Sequence, residues 1–471
     1  MSSIHPPSFI LHPSLPSRRA FLKATSSGFG YLAFAGLSTW AAERNNPLAP
    51  KPPHFPARAK RVIFLCMEGA PSHVDTFDYK PKLAADDGKT FGRGRVAAAA
   101  KLLASPWKFA QHGDSGLWIS ELFPYVAQHA DKLCLINSMV TDQPNHPQAF
   151  VQMHTGVFQF PRPSLGAWTL YGLGTENDNL PGFVTLNPPG NNGGPINYGA
   201  SFLPSCCQGT RIGGAGFRPN PGGDVGVANL TPPRSTAAAQ RIQLDYLQEL
   251  NRSARAHDPD HPGLEGVIES YEMAFRMQGE LPKVLDLAGE SAATKSLYGI
   301  GDRATENFGR QCLIARRLVE AGVRFVELTQ GGWDHHRNLK DGLTRNCTAI
   351  DRPIAGLLAD LHSRGLLKDT LVIWGGEFGR TPYAQNTDGR DHNAKGYTIW
   401  MAGGGVKAGQ AFGATDDYGY ESVSDKVHIH DWHATILHLL GLDHEKLTYR
   451  HAGRDMRLTD VKGNVVRGLV G

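Results

Sequence analysis

Three stretches of this chain follow one plan: an apolar run of strand length, then glycine, then residues able to bind a metal. Val62–Met67 leads into Glu68-Gly69 and then Ser72-His73-Val74-Asp75. Val323–Leu328 leads into Gly331-Gly332-Trp333-Asp334-His335-His336, and Leu371–Trp374 into Gly375-Gly376-Glu377-Phe378-Gly379-Arg380. Carboxylates and imidazoles are the ligands of zinc and other divalent cations. Continuous apolar runs with helical segments between them predict parallel strands buried on both faces. Ligand sites in such sheets lie beyond the carboxyl ends of the strands. Three strand ends delivering ligands to one crevice favour an enzyme over a structural protein.

The strongest cluster is Trp333-Asp334-His335-His336. Neighbouring side chains diverge, so Asp334 with one of His335 and His336 is the expected ligand pair. Glu377 supplies a second carboxylate, and Arg380 a guanidinium able to hold an anionic substrate bidentately. His392, in Gly389-Arg390-Asp391-His392-Asn393, is expected in a loop before the strand 398–402, from which it reaches the same crevice. At the first strand Glu68, Ser72, His73, Asp75 and Asp78 compete, with Glu68 and Asp75 the metal candidates. Asn145-His146-Pro147 precedes a helix ending at Thr155-Gly156, and a helix N-terminus stabilises a nucleophile or an anionic ester. Of the late histidines, His430 is the best supporting residue. Arg316-Arg317 reads as a solvated helix face.

The elements that must position these groups are legible in outline. Strands are expected at 61–67, 132–138, 183–186, 323–328, 370–374 and 398–402. Helices are expected at 148–154, 234–257, 263–278, 304–321, 347–364 and 432–440, the last capped by Asp431. Residues 187–233 carry Gly/Pro-rich runs and read as a functional loop or lid. Residues 43–59 read as a linker, and 60–468 as one α/β domain.

At 471 residues the chain can bury a large core, and 41% hydrophobic with 20% charged residues is ordinary globular composition. Ser17-Arg18-Arg19-Ala20-Phe21-Leu22-Lys23 fits a twin-arginine export signal, so residues 1–42 are expected to be a leader handled by the twin-arginine machinery. The mature protein would be periplasmic or extracellular, or membrane-anchored if the leader stays. Removing the leader, with its three cations and no acid, takes the formal charge from +4 to +1. That balance gives no case for nucleic-acid binding. None of the six cysteines lies in a C-x-x-C spacing, which argues against a thiolate zinc site. Cys66 and Cys134 read as buried small hydrophobes.

Gly69-Ala70-Pro71-Ser72-His73-Val74-Asp75-Thr76-Phe77-Asp78-Tyr79-Lys80-Pro81 resembles the first signature of a bacterial exported family, the domain of unknown function 1501. Arg316–Val326, Gly332–His336, Gly376–Thr381, Ala434–His444 and Ala452–Asp455 match its other signatures. That family is similar to the alkaline phosphatase/sulfatase superfamily. The resemblance implies a three-layer α/β/α sandwich with a mostly parallel sheet, and divalent-metal hydrolysis of phosphate or sulfate esters. It places His146 at the nucleophile position, and the donor residues make zinc the expected metal, with manganese, calcium or magnesium as alternatives. Phe378 stands where the superfamily has a second ligand. No C-x-P-S-R or S-x-P-S-R motif occurs, which argues against a formylglycine sulfatase.

The reading from residues and resemblance is an exported metal-dependent hydrolase acting on small-molecule or glycan esters. Asp334, His335 or His336, Glu377 and His392 would hold the metal, with His146 as nucleophile or acid/base and Arg380 as anion clamp. Asp334→Ala is expected to abolish metal retention with the fold intact. The rival is a non-catalytic protein on the same scaffold that binds a glycan or a partner. A metal-dependent mutase or transferase is a third option.

Overall fold

A computed structural model describes residues 46–92, 100–213, 236–257 and 264–471. The leader, the first residues of the linker, 214–233 of the Gly/Pro-rich stretch and the first two residues of the helix expected at 234–257 lie outside the described residues. Pro47–Gly471 forms one compact unit.

The six expected strands are present, four with shifted ends, as β1 (Arg61–Met67), β2 (Leu133–Val140), β3 (Phe183–Leu186), β5 (Phe325–Gln330), β6 (Thr370–Gly375) and β9 (Tyr397–Ala402); β4 (Thr210–Ile212), β7 (Gly379–Gln385), β8 (Gly389–Asn393), β10 (Gln410–Phe412) and β11 (Val427–His428) are additional to them. The helices used below are α1 (His146–Thr155), α2 (Leu165–Leu173), α3 (Ala237–His257), α4 (Leu264–Leu285), α5 (Glu306–Glu320), α6 (Leu339–Ser363) and α7 (Ile429–Leu439). Nine strands form the central sheet in the order β10-β2-β9-β6-β1-β5-β3-β4, with β11 also paired to β2. All neighbours are parallel except β9, which is antiparallel to both β6 and β2. The sheet is therefore mostly parallel, as expected, with one reversed strand.

The apolar runs of β1, β5 and β6 are buried because helices cover both faces. Ile63, Leu65 and Met67 pack with α5 and α6 on one side. Val62, Phe64 and Cys66 pack with α1, α2 and α7 on the other. The three-layer α/β/α arrangement is thus written in the two-residue alternation of each strand. The apolar face of α5, through Cys312, Leu313, Ala315, Leu318 and Val319, is fully buried.

Two local expectations change. Arg316 is not solvated: it is 3% exposed and meets Glu320, Glu290 and Asp360 at 2.6, 2.7 and 3.0 Å. A buried guanidinium is tolerable only with such partners. The last helix starts at Ile429, not Trp432. His428 is its cap, and Asp431 accepts the His428 backbone N–H at 3.0 Å from the third helical position.

His433 on α7 is fully buried. Its Nε2 donates to the Met153 carbonyl at 2.7 Å, its Nδ1 has no partner among the described residues, and burial pulls its pKa down to about 3. An unfolded histidine titrates near 6.5. The unfolded chain takes up a proton that the folded one refuses, so stability falls as pH drops below about 6.5, by roughly 2 kcal/mol at pH 5. Equilibrium denaturation at pH 7 and 5 should show this share of the loss. His433→Gln, which keeps a donor facing Met153, should remove it; an unaltered acid slope in that variant would refute the assignment.

Candidate metal centre

The site collects at the carboxyl end of the parallel strands. The segment after β5 brings Asp334 and His336, and the segment after β2 brings His146 at the start of α1. The segment after β6 brings Glu377, and the β7–β8 hairpin carries Arg380 and His392. His392 therefore sits on a strand rather than in the expected loop. The reversed β9 begins at this same edge, so the hairpin between β6 and β9 stays over the crevice. Trp333 fixes the outward pose of Asp334: its indole is fully buried, with its ring 6.4 Å from that of Trp374. Gly69 has φ +105°, and a Cβ there would lie 2.7 Å from the Asp334 nitrogen. The β1 and β5 loops meet this closely because that position is glycine.

His146, Asp334, His336 and His392 each offer one ligand atom, all within 4.8 Å of one another. The shared atom is Asp334 Oδ1. It lies 3.1 Å from His146 Nε2, 2.9 Å from His336 Nε2 and 3.3 Å from His392 Nε2. Behind each ring an oxygen meets Nδ1. Glu377 Oε1 stands 2.6 Å from that of His146, and the Pro144 carbonyl 2.5 Å from that of His392; Gln385 Oε1 contacts that of His336. A carbonyl or carboxylate oxygen accepts, so Nδ1 of His146 and His392 donates. Each neutral ring then presents a bare Nε2 lone pair to a carboxylate. This outer oxygen shell is the usual support of metal-bound histidine. His146 Nε2 is also buried and makes no hydrogen bond among the described residues. Lone pairs facing a carboxylate require a cation, a proton or a metal ion, and the donor set of three imidazoles and one carboxylate suits zinc.

Without a metal, a proton on His146 serves as that cation. Burial alone would raise the Asp334 pKa, but contacts from His146, His392 and Arg380 outweigh it and hold the carboxyl far below the usual range. Burial likewise opposes charge on His146, yet the Asp334 and Glu377 carboxylates push it up to about 9. The Asp334 side chain is 44% exposed, against 14% for His146 and 17% for His392, so the cluster opens to solvent on the Asp334 side.

The other predicted residues lie as follows. Glu377 is fully buried behind His146 and also accepts the Gly69 N–H at 3.1 Å, outside the group of four. His335 turns inward against α6: a Cβ at Gly342 would be 2.4 Å from its Nε2, and burial with the Arg380 charge lowers its pKa to about 4. His336, not His335, is the imidazole that joins Asp334. Asp75 is fully buried in a two-pronged ion pair with Arg390, at 2.7 and 3.0 Å, away from the cluster. Glu68 stands at the end of β1, its Oε1 held by Asn192 at 2.7 Å, and burial raises its pKa. Asn192 belongs to the Gly/Pro-rich stretch.

Arg380 is 1% exposed and bonds Asp334 at 2.6 Å, the Gly69 carbonyl at 2.5 Å and the Ala70 carbonyl at 3.0 Å. A guanidinium so engaged fixes Asp334 and has little left for an external anion. His430 stacks on His428 and meets the Gly156 carbonyl at 2.8 Å, with no contact to the cluster among the described residues. Sequence reasoning missed Pro144, Gln385 and Asn192, whose residue types carry no signal of their role.

A family model described as "Protein of unknown function (DUF1501)" matches residues 59–470. Among solved structures the chain is similar to the PsFucS1 sulfatase from Pseudoalteromonas sp., with 12% identity, 89% of this chain and 73% of that chain covered, and a TM-score of 0.36. It is similar to the lipoteichoic acid synthase LtaP from Listeria monocytogenes, with 9% identity, 89% and 80% covered and a TM-score of 0.35. It is similar also to the alkaline phosphatase from the Antarctic bacterium TAB5, with 11% identity, 81% and 98% covered and a TM-score of 0.31. These likenesses are too distant to assign a role to any residue. A search of curated proteins gave no match.

Proposed function

The chain belongs to the DUF1501 family of proteins of unknown function, and for this member we propose metal-dependent hydrolysis of phosphate or sulfate esters on small molecules or glycans. The observation that carries this reading is the convergence of three Nε2 atoms on Asp334 Oδ1, with an oxygen at the back of each ring. His146, Asp334, His336 and His392 would hold the ion, with zinc the best match to the donors. The ion would polarise an ester oxygen and lower the pKa of a bound water. Glu377 and the Pro144 carbonyl keep His146 and His392 in the binding tautomer. Arg380 holds Asp334 ionised and in place.

The anionic part of the ester has a natural seat at the N-terminus of α1, beside His146. The Asn145 cap makes no side-chain hydrogen bond there. Glu68, with its raised pKa, suits taking up and returning a proton at the edge of the crevice. In this reading His146 is a ligand rather than a nucleophile. Export by the twin-arginine route, with folding before translocation, is part of the same proposal and rests on Ser17–Lys23. No described helix is long and apolar enough to cross a membrane.

The test is elemental mass spectrometry on protein purified without chelator, followed by a panel of aryl phosphates, phosphodiesters and sulfates. At least one equivalent of metal is expected, with turnover of one class that stops on chelation and returns with the ion. A metal-replete protein that turns over none of the panel would instead support the binding protein.

A further inference from the structure

A second group of ligand-type side chains lies inside the molecule, on the sheet face covered by α1. Cys66 of β1, His154 of α1 and Glu327 of β5 each offer one atom, all within 4.8 Å of one another. Cys66 is fully buried, and His154 and Glu327 are 3% and 2% exposed. We propose that these three residues form a second metal site, for a thiophilic divalent ion such as zinc, separate from the exposed cluster.

The argument starts from His154. Its Nδ1 lies 2.7 Å from the Phe150 carbonyl one helical turn earlier, and a carbonyl only accepts. Nδ1 must therefore carry the hydrogen, which leaves Nε2 of the neutral ring as a bare lone pair. That lone pair faces Glu327 Oε1 at 3.2 Å. Two acceptors this close, away from water, require a cation between or beside them: a proton or a metal ion. Cys66 is the feature that favours a metal. A proton shared by His154 and Glu327 gives the thiol no part, whereas zinc recruits it as thiolate.

Charge balances in both states. Without metal, imidazolium and carboxylate cancel beside a neutral thiol. With metal, the thiol and imidazolium protons leave to solvent, and thiolate plus carboxylate cancel the dication. A buried site of zero net charge avoids the desolvation cost of an unpaired ion. Burial, then the Glu327, Glu377 and Glu68 charges, push the Cys66 thiol well up, so in the metal-free protein it stays protonated and inert.

The surroundings can complete the coordination. Thr185 pairs in register with Glu327, and Thr329 with Cys66, so both share this face in parallel strands. The hydroxyls of Thr185 and Thr329 are buried and have no partner among the described residues. A tetrahedral zinc places its donors roughly 3.3–3.8 Å apart, so the cluster needs to tighten by at most about 1.5 Å.

The test uses the full chain expressed with cobalt(II) as the probe, because cobalt bound to thiolate gives a near-ultraviolet charge-transfer band that an oxygen and nitrogen site cannot give. The band is expected in the unaltered protein and in Asp334→Asn, and lost in the near-isosteric Cys66→Ser. Elemental analysis should show one equivalent fewer in Cys66→Ser than in the unaltered protein. Since Asp334→Asn disables only the exposed cluster, failure there is separable from failure here. Cobalt uptake without the band, or a band that survives Cys66→Ser, would overturn the proposal and leave a proton as the shared cation.

Discussion

Asp334→Asn is expected to leave a folded protein whose exposed cluster retains less than a tenth of its metal and whose ester turnover falls by about three orders of magnitude. Asp334 Oδ1 is the one atom shared by His146, His336, His392 and Arg380. Removing its charge takes away the only anionic donor of the group and the carboxylate on which the three Nε2 atoms converge. The choice of asparagine matters. Arg380 is buried, and Asp334 is its carboxylate partner at 2.6 Å. Asp334→Ala would strip that partner and cost about 2 kcal/mol, a figure kept low because Asp334 is partly exposed. The expectation from sequence of an undisturbed fold in Asp334→Ala is therefore revised: asparagine can still accept from Arg380, and alanine cannot. Metal content, activity and denaturation midpoints of the two variants check this together. Full metal occupancy in Asp334→Asn would remove Asp334 from the site.

Asp75→Ala should do the opposite: a large loss of stability, about 3–5 kcal/mol, from a residue that touches no proposed ligand. Asp75 and Arg390 are both fully buried, and Ser72 Oγ donates to Asp75 at 2.5 Å. Arg390 also donates to the carbonyls of Thr381 at 3.1 Å and Leu103 at 2.9 Å. Deleting the carboxylate leaves a buried charge with carbonyls alone. Because Arg390 lies two residues before His392 on the hairpin, the single variant should also weaken metal binding. Asp75→Leu with Arg390→Met replaces the pair by apolar groups of similar volume and should restore most of the stability and the metal together. Denaturation with metal analysis on both variants decides it. If Asp75→Ala loses metal at unchanged stability, Asp75 is a ligand and the structural role given to it here is wrong.

Much of this protein was determined locally by its sequence. The runs at 61–67, 370–375 and 397–402 are long, apolar and followed by glycine within two residues, so strand identity and burial on both faces follow from composition alone. The rule that sites gather beyond strand ends then brings Asp334, His146 and His392 into one neighbourhood. Which atoms meet was decided only by the tertiary structure. His335 and His336 are indistinguishable as neighbours in sequence, and packing against Gly342 turns one inward while the other reaches Asp334. Asp75 and Arg380 carry the right chemistry for ligand and clamp, but an ion pair spanning 315 positions occupies the first, and carbonyls and Asp334 occupy the second. The absence of a C-x-x-C spacing spoke against any thiolate site, yet β1, α1 and β5 bring Cys66, His154 and Glu327 together from positions far apart in the chain. Periodicity reports what one element does with its own side chains. It carries no information on which distant partner stands opposite, because that depends on strand order, the reversal of β9 and the closeness allowed at glycines such as Gly69.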